Sequence, residues 1–465
     1  MEKITDIHQK TLSINLDNSK YGTIAEIGAG QETARWFFRV GGAAGTIAKA
    51  ISAYDMKFSD AIYGESPRYV SRQRLDSMLH IEYSLILERL EESKGADTTF
   101  FAFANTIASR SYSRQEDGSG WLGVKFQTSP GKEPSQIDLH VNLKSKKTVQ
   151  DQETLGILGV NLIYGAMEFH QDPEYLLKSL MDNLSSRLME IDMIDFSGPA
   201  FDKVDNRLMA LRLVELGMTH GAMFNAQGDI VHPADLLWKK AVLIQRSRFN
   251  PPTLLNMDML DCAQEVFLAD NKIAAEDLMV ISEMTLNNLK DGDDINVQDF
   301  LQRADILCAL GKNVLISNMG EYYKLADYLF RYTQKPLAIV LGIPTLIEIF
   351  DEKYYVQLPG GILESFGRLF KYKLRLYVSP GINSENGELI TADNFEPEKH
   401  LKHLYSYLFD NQFISALNTV NRDFLCINSP EVLEEIRNGH SEWETKVPEK
   451  VKQVIHKHQL FNVRS

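Results

Sequence analysis

From Asp205 onward, helical patterns and short apolar runs take turns along the chain. Asp205–Leu216 reads as helix, Met218–Phe224 as strand, Met257–Leu268 as helix and Leu278–Thr285 as strand. The rhythm continues through Val297–Leu310, Asn313–Ser317, Tyr322–Tyr332, Leu337–Leu341 and Thr345–Phe350. Strands separated by helices of this length are joined by crossovers rather than hairpins, and crossovers generate parallel pairs. The expected fold class is therefore α/β, with a largely parallel sheet built from strand-helix crossover units.

Two regions depart from this rhythm. Leu75, Met78, Leu79, Tyr83, Ile86, Leu87 and Leu90 recur at helical spacing, and Gly95 closes that helix. Thr98–Phe103, Trp121–Phe126 and Gln136–Leu143 then read as hairpin-linked strands, an antiparallel hairpin region. In the last run Ile137, Leu139, Val141 and Leu143 alternate with Asp138, His140 and Asn142, giving one apolar and one polar face. Helical patterns follow at Thr154–Phe169 and Pro173–Leu184. Beyond Pro380, the helical segments Glu398–Leu408, Pro430–Arg437 and Pro448–Gln459 predict a helical C-terminal extension. A chain of 465 residues exceeds one core of roughly 250–300 residues, so soft boundaries are placed near Asp97, Pro199 and Pro380. The expected parts are 1–97, 98–199, 200–380 and 381–465.

A net charge of -14 argues against nucleic-acid binding, which needs a basic surface. The three cysteines, Cys262, Cys308 and Cys426, are too few and too far apart for a disulfide framework. Residues 1–20 lack the apolar core of a secretory signal, and no apolar run reaches the roughly 20 residues of a membrane span. A cytoplasmic location with no membrane partner is expected. The eleven histidines form no metal signature, no metal site is assigned, and no cofactor is specified. The oligomeric state is left open.

The sharpest local signal is Glu26-Ile-Gly28-Ala-Gly30-Gln31, between a strand and a helix. Glycines there allow a ligand close to the backbone, and a helix N-terminus offers unpaired N–H groups to an anion. Arg35, one helical turn on, could add charge. The alternative is a tight strand-to-helix connection, in which the glycines serve packing alone. Arg68 and Arg72, with Arg74, form the densest arginine group and suit a carboxylate or phosphate, with a solvated helix end paired with Glu65 and Asp76 as the alternative. Asp195, at a strand end, is a catalytic candidate that could orient a hydroxyl or a metal. Asp205 is a second catalytic candidate and Arg207 a candidate anion ligand, with helix capping by Asp205 as the alternative. Glu283–Asn287 and Ser317-Asn318 are further polar strand ends, of interest if they converge on one cleft.

The Gly28 turn resembles the first motif of class I methyltransferases, although Glu32 stands where a third glycine belongs. As a set, residues 28–38, Ser52-Ala-Tyr-Asp55, 59–64, Val204-Asp-Asn-Arg-Leu208 and 360–367 resemble a bacterial family sometimes labelled nicotinate-nucleotide adenylyltransferase. That label implies a His-x-Gly-His signature and a later Ser-Thr-x-x-Arg, and neither string occurs. Thr219-His220-Gly221 ends in Ala222, so no catalytic residue carries over. The expected function is an enzyme acting on a small anionic, nucleotide-type metabolite, with group transfer favoured. The alternative is a non-catalytic α/β scaffold or partner-binding protein.

Overall fold

A computed structural model describes residues 3–28, 30–110, 117–292, 294–383 and 386–463. The chain forms two compact units, Met1–Thr219 and His220–Ser465. Asp97 and Pro199 lie inside the first unit and Pro380 inside the second. Turn-rich composition marks chain reversals, whereas a unit closes where its strands stop sharing a sheet.

The first unit is built on a six-stranded sheet: β1 Lys20–Gly28, β2 Ile47–Ala53, β3 Thr99–Ala108, β4 Ser119–Phe126, β5 Ser135–Leu143 and β6 Met189–Ser197. The spatial order is β2-β1-β3-β4-β5-β6. Strand β1 runs parallel to both neighbours, and β3 to β6 form an antiparallel meander. The antiparallel region expected after residue 98 is thus present, with β6 added to it. The helices are α1 Ile7–Asn15, α2 Thr33–Val40, α3 Met56–Tyr63, α4 Arg72–Lys94, α5 Thr148–Glu168, α6 Pro173–Ser179 and α7 Asn206–Glu215.

Helix α4 begins where Ser71 Oγ accepts the Arg74 N–H, ends at Gly95, and buries Leu75, Met78, Leu79, Tyr83 and Ile86 on one stripe. It covers β1, β3 and β4. Helix α5 lies on the other face, because Phe103 meets it while the adjacent Ala104 points with Gly123 towards Leu79 of α4. Helix α1 is tied beneath α5 by Lys10, whose fully buried ammonium donates to Asn161 Oδ1 at 2.9 Å and Asp182 Oδ2 at 2.6 Å.

The second unit has an eight-stranded sheet: β7 Gly221–Phe224, β8 Ile230–Val231, β9 Ala241–Arg246, β10 Leu278–Thr285, β11 Asn313–Ser317, β12 Leu337–Gly342, β13 Leu374–Ser379 and β14 Ile414–Ala416. Its spatial order is β14-β13-β12-β9-β10-β11-β7-β8. The six strands from β14 to β11 are all parallel, and β7 and β8 add an antiparallel edge. Counted along the chain, the parallel strands lie in the order 3-2-1-4-5-6, that of a doubly wound α/β sheet. Val242 and Ile244 face one apolar layer with Ile339, Leu346 and Leu376. Leu243 faces another, with Leu260, Phe267, Val340 and Tyr377.

The strands β9, β13 and β14 were not anticipated. Ala241-Val-Leu-Ile is a run of four apolar residues, too short for its period to separate strand from helix. The last segment is mainly helical as expected, and it also supplies β14 as an edge strand. Its helices Ser429–Asn438 and Glu449–His458 bury Val432, Ile436, Val451 and Ile455 around Trp443 and against Ile306. Among the described residues, no helix is long and apolar enough to cross a membrane.

Because Ile244 is fully buried on the strand that both halves of the second sheet share, Ile244→Ala should cost about 2–5 kcal/mol. Urea unfolding should show this as a lower midpoint. A loss well under 1 kcal/mol would contradict the central placement of β9.

Candidate functional site

The Gly28 turn is built from β1 outward, and its anion is already present. Glu26, only 3% exposed, points from β1 at the start of α2. Its two carboxylate oxygens accept the N–H groups of Thr33 at 3.1 Å and Ala34 at 3.2 Å, and Asn105 Nδ2 donates at 3.0 Å. The place expected to hold a ligand anion therefore holds a side chain of the same polypeptide. Burial pushes the Glu26 carboxyl up to about 7, against the pull of these hydrogen bonds.

The glycines serve this arrangement by close approach. Gly28 has φ +79°, and a Cβ there would stand 2.1 Å from the Ile107 carbonyl oxygen. A Cβ on Gly30 would meet Asn105 Oδ1 at 2.5 Å, displacing the residue that holds both Glu26 and the Gly30 carbonyl. Ala29 lies outside the described residues. Gln31 Nε2 donates to the Gly28 carbonyl at 3.3 Å, and Arg35 is exposed and paired with Glu32 at 3.0 Å rather than turned to the glycines.

The remaining candidates fall elsewhere in the first unit. Arg72 bridges Asp138, at 3.1 Å, and Asp195, so the predicted anion ligand and the predicted catalytic acid neutralise each other. Burial pushes Asp138 up to about 6, opposed by that guanidinium. Arg74 is buried against Asp60. Arg68 is exposed, and its carbonyl accepts from Ser66 and Ser71. Asp205 caps α7 through the Arg207 N–H at 2.9 Å and also accepts from the Arg207 guanidinium at 2.7 Å. Burial opposes ionisation there, yet the guanidinium holds its carboxyl below the usual range. These groups do not converge with Glu26: Arg72, Asp138 and Asp195 lie on the α4 face, and Glu26 lies on the α2 face.

A second polar group went unmarked. His140 Nδ1 lies 2.6 Å from Asp192 Oδ1, Asn142 Nδ2 donates to Asp192 Oδ2 at 2.6 Å, and Trp121 sits edge-on to the imidazole at 4.9 Å. The alternation along β5 had put His140 and Asn142 on the polar face, which was the available signal.

A cavity suited to a ligand lies in the second unit. Its chain steps from β9 to β10 and β11 on one side, then returns to β12 on the other, so crossovers leave β9 and β12 in opposite directions. A crevice opens outside the carboxyl ends of strands at such a reversal. A cavity of about 860 Å³ is found there, lined by Ser247 and Arg248 after β9, Gly342 at the end of β12 with Ile343 beyond it, and Ser379 at the end of β13. Thr253, Asn256 and Met259 of the following helix and residues 425–430 complete it. Arg248 is exposed and has no ion-pair partner among the described residues. Cys426 also lines the cavity, its thiol donating to the Asp423 carbonyl at 3.4 Å.

The helix Leu254–Asn271 that opens on this cavity does not offer its N-terminus. Thr253 and Asn256 form a capping box, and the Leu254 N–H donates to the Lys446 carbonyl at 2.9 Å. The connection from β9, Ser247-Arg-Phe-Asn-Pro-Pro-Thr253, also contains no glycine. A pyrophosphate cradle of the dinucleotide kind is therefore not built here. Arg248 and the cavity would have been legible had β9 been recognised, since Thr253-x-x-Asn256 after Pro-Pro marks a helix start.

No family model matches the chain and no curated protein matches it. Among solved structures it is similar to a competence/damage inducible protein, CihA, from Agrobacterium tumefaciens, with 14% identity, 34% of this chain and 92% of that chain covered, and a TM-score of 0.23. It is similar to a CinA superfamily protein from Escherichia coli, at 15% identity, with 39% and 93% covered and a TM-score of 0.24. A protein provisionally named a nicotinate-nucleotide adenylyltransferase, from Vibrio parahaemolyticus, shows 12% identity, 48% and 95% covered, and a TM-score of 0.26. Likeness of this order bears on neither ligand nor reaction.

Two outcomes follow for the Gly28 turn. The Glu26 carboxyl titrates at about 7 in the folded protein against an ordinary 4.5, a difference of about 3 kcal/mol between its two charge states. Since the folded value is the higher one, the stabilising contribution is complete below pH 4.5 and lost as the pH rises through about 7. Thermal unfolding across that window should fall less steeply for Glu26→Gln than for the parent, and equal slopes would show that Glu26 is not desolvated. Gly28→Ala should lower stability by more than about 1 kcal/mol, read in the same assay, because it combines a positive φ with a collision against backbone.

Proposed function

We propose that the protein binds a small anionic metabolite with an apolar or flat body, of nucleotide size, in the cavity at the carboxyl ends of β9, β12 and β13. The observation that carries this reading is the coincidence of that cavity with the reversal of strand order between β9 and β12. Arg248 supplies an unpaired cation at the wall, the serine, threonine and asparagine side chains supply hydrogen bonds, and Met259, Ile343 and Ile347 supply apolar contact. The group transfer expected from the sequence finds hydroxyls and the Cys426 thiol at this cavity. The described lining residues include no carboxylate, imidazole or ammonium to act as a general base, so the reading is of binding first.

Thermal-shift screening of the full chain against nucleotides, methyl donors, dinucleotides and phosphorylated metabolites tests this. A ligand present at about 100 times its Kd should add roughly 2.7 kcal/mol. For an anionic hit, Arg248→Ala should remove the shift while leaving the unliganded melting temperature unchanged. A hit whose shift survives Arg248→Ala and is abolished by Gly28→Ala would place the ligand in the first unit and overturn the assignment.

A further inference from the structure

The polar ends of β10 and β11 converge on a separate cavity in the second unit. Ser317 Oγ donates to Glu283 Oε1 at 2.6 Å, and Asn287 and Asn318, just beyond the same two strands, line one cavity of about 440 Å³. Its other walls are Glu321 and Tyr322 at the start of the next helix, and Glu348, Tyr354 and Tyr355. Two features set its chemistry. Tyrosine rings present a negative quadrupole to a cation, and two carboxylates stand beside them.

The nearest fixed cation does not cancel that field. Arg246, at the end of β9, stacks over the Tyr322 ring at 4.3 Å, but its guanidinium is fully engaged by both oxygens of Glu283, each at 2.9 Å, and by the Met319 and Gly320 carbonyls. The Arg246–Glu283 pair is neutral as a unit. Glu321 is paired at the surface with Lys324. The Glu348 carboxylate has no hydrogen-bond or ion-pair partner among the described residues, and it acts electrostatically on Tyr322, whose hydroxyl burial pushes up to about 12. A carboxylate without a counter-ion thus stands at the rim of a tyrosine-lined cavity. Arg246 and Lys353 occupy one face each of Tyr322 and Tyr354, at 4.3 and 4.8 Å, so a ligand cation meets only the ring surface they leave open.

We propose that this cavity is a second binding site, for an organic cation: an ammonium or guanidinium group held against Tyr322, Tyr354 and Tyr355 and neutralised by Glu348. It is independent of the anion site around Arg248 and draws on different residues, so either can fail without the other.

The test is isothermal titration of the full chain with choline, methylammonium and guanidinium, each as the chloride, at low ionic strength. The carbon isostere of choline, in which carbon replaces the ammonium nitrogen, serves as the uncharged control. At least one cation should bind saturably, and choline, if it is the one, should bind at least about fivefold more tightly than its isostere. Glu348→Gln should weaken binding about five- to tenfold, and Tyr354→Leu should weaken it by a similar factor. Both positions are exposed, so the melting temperature should not change. Arg248→Ala should leave cation binding as it was. Absence of saturable binding by all three cations overturns the proposal, as does equal affinity of choline and its isostere, or undiminished binding to Glu348→Gln.

Discussion

Parallel pairing of β9 with both β10 and β12 is the constraint on which the second unit depends. A parallel neighbour cannot be reached by a tight turn, so the parallel pairs of this sheet require crossovers, which here carry helices over its faces. Because the chain builds outward from β9 first in one direction and then in the other, the helices divide between the two faces, and the strand ends separate where the direction changes. The crevice at Ser247, Gly342 and Ser379 is thus a product of connectivity, and the side chains that furnish it are secondary. The short β14 and the antiparallel β7 and β8 close the two edges, which leaves no long exposed parallel strand at either side.

The first unit follows a different rule, in which buried charge is neutralised from within. Glu26 lies on the N-terminus of α2, Arg72 lies between Asp138 and Asp195, and Lys10 meets Asp182. Desolvating any of these groups alone would cost several kcal/mol, and each is matched by a partner distant in sequence. Removing one member of such a pair would leave the other buried and uncompensated. Asp138 and Asp195 stand opposite each other on β5 and β6, and a slip of either strand would leave Arg72 with one acid instead of two.

This internal neutralisation explains where reading the sequence succeeded and where it did not. Helix α4 and the alternation along β5 were legible because apolar periodicity is a local property, set by which side chains share a face. The Gly28 turn was located correctly as strand, turn and helix, but its occupant was not, since the decisive contact runs from Glu26 to Thr33 and Ala34 with Asn105 as the third partner. No local pattern reports that the acidic residue folds back onto the helix instead of facing a ligand. The strand β9 was missed for a different reason: four apolar residues between Lys240 and Gln245 carry too little period, and only its pairing on both sides marks it as the centre of the sheet. With β9 went the reversal of strand order, and with that the cavity.

The burial of Lys10 bears on the order in which the chain can be assembled during synthesis. Helix α1 leaves the ribosome before α5 and α6, yet the Lys10 ammonium has no buried acceptor until Asn161 and Asp182 have emerged. Burial already lowers the Lys10 pKa, even with Asp182 beside it. Docked without those partners, α1 would place an uncompensated charge under the sheet. Docking of α1 must therefore wait, with β1 to β5 already synthesised, until the segment following α6 arrives to hold Lys10.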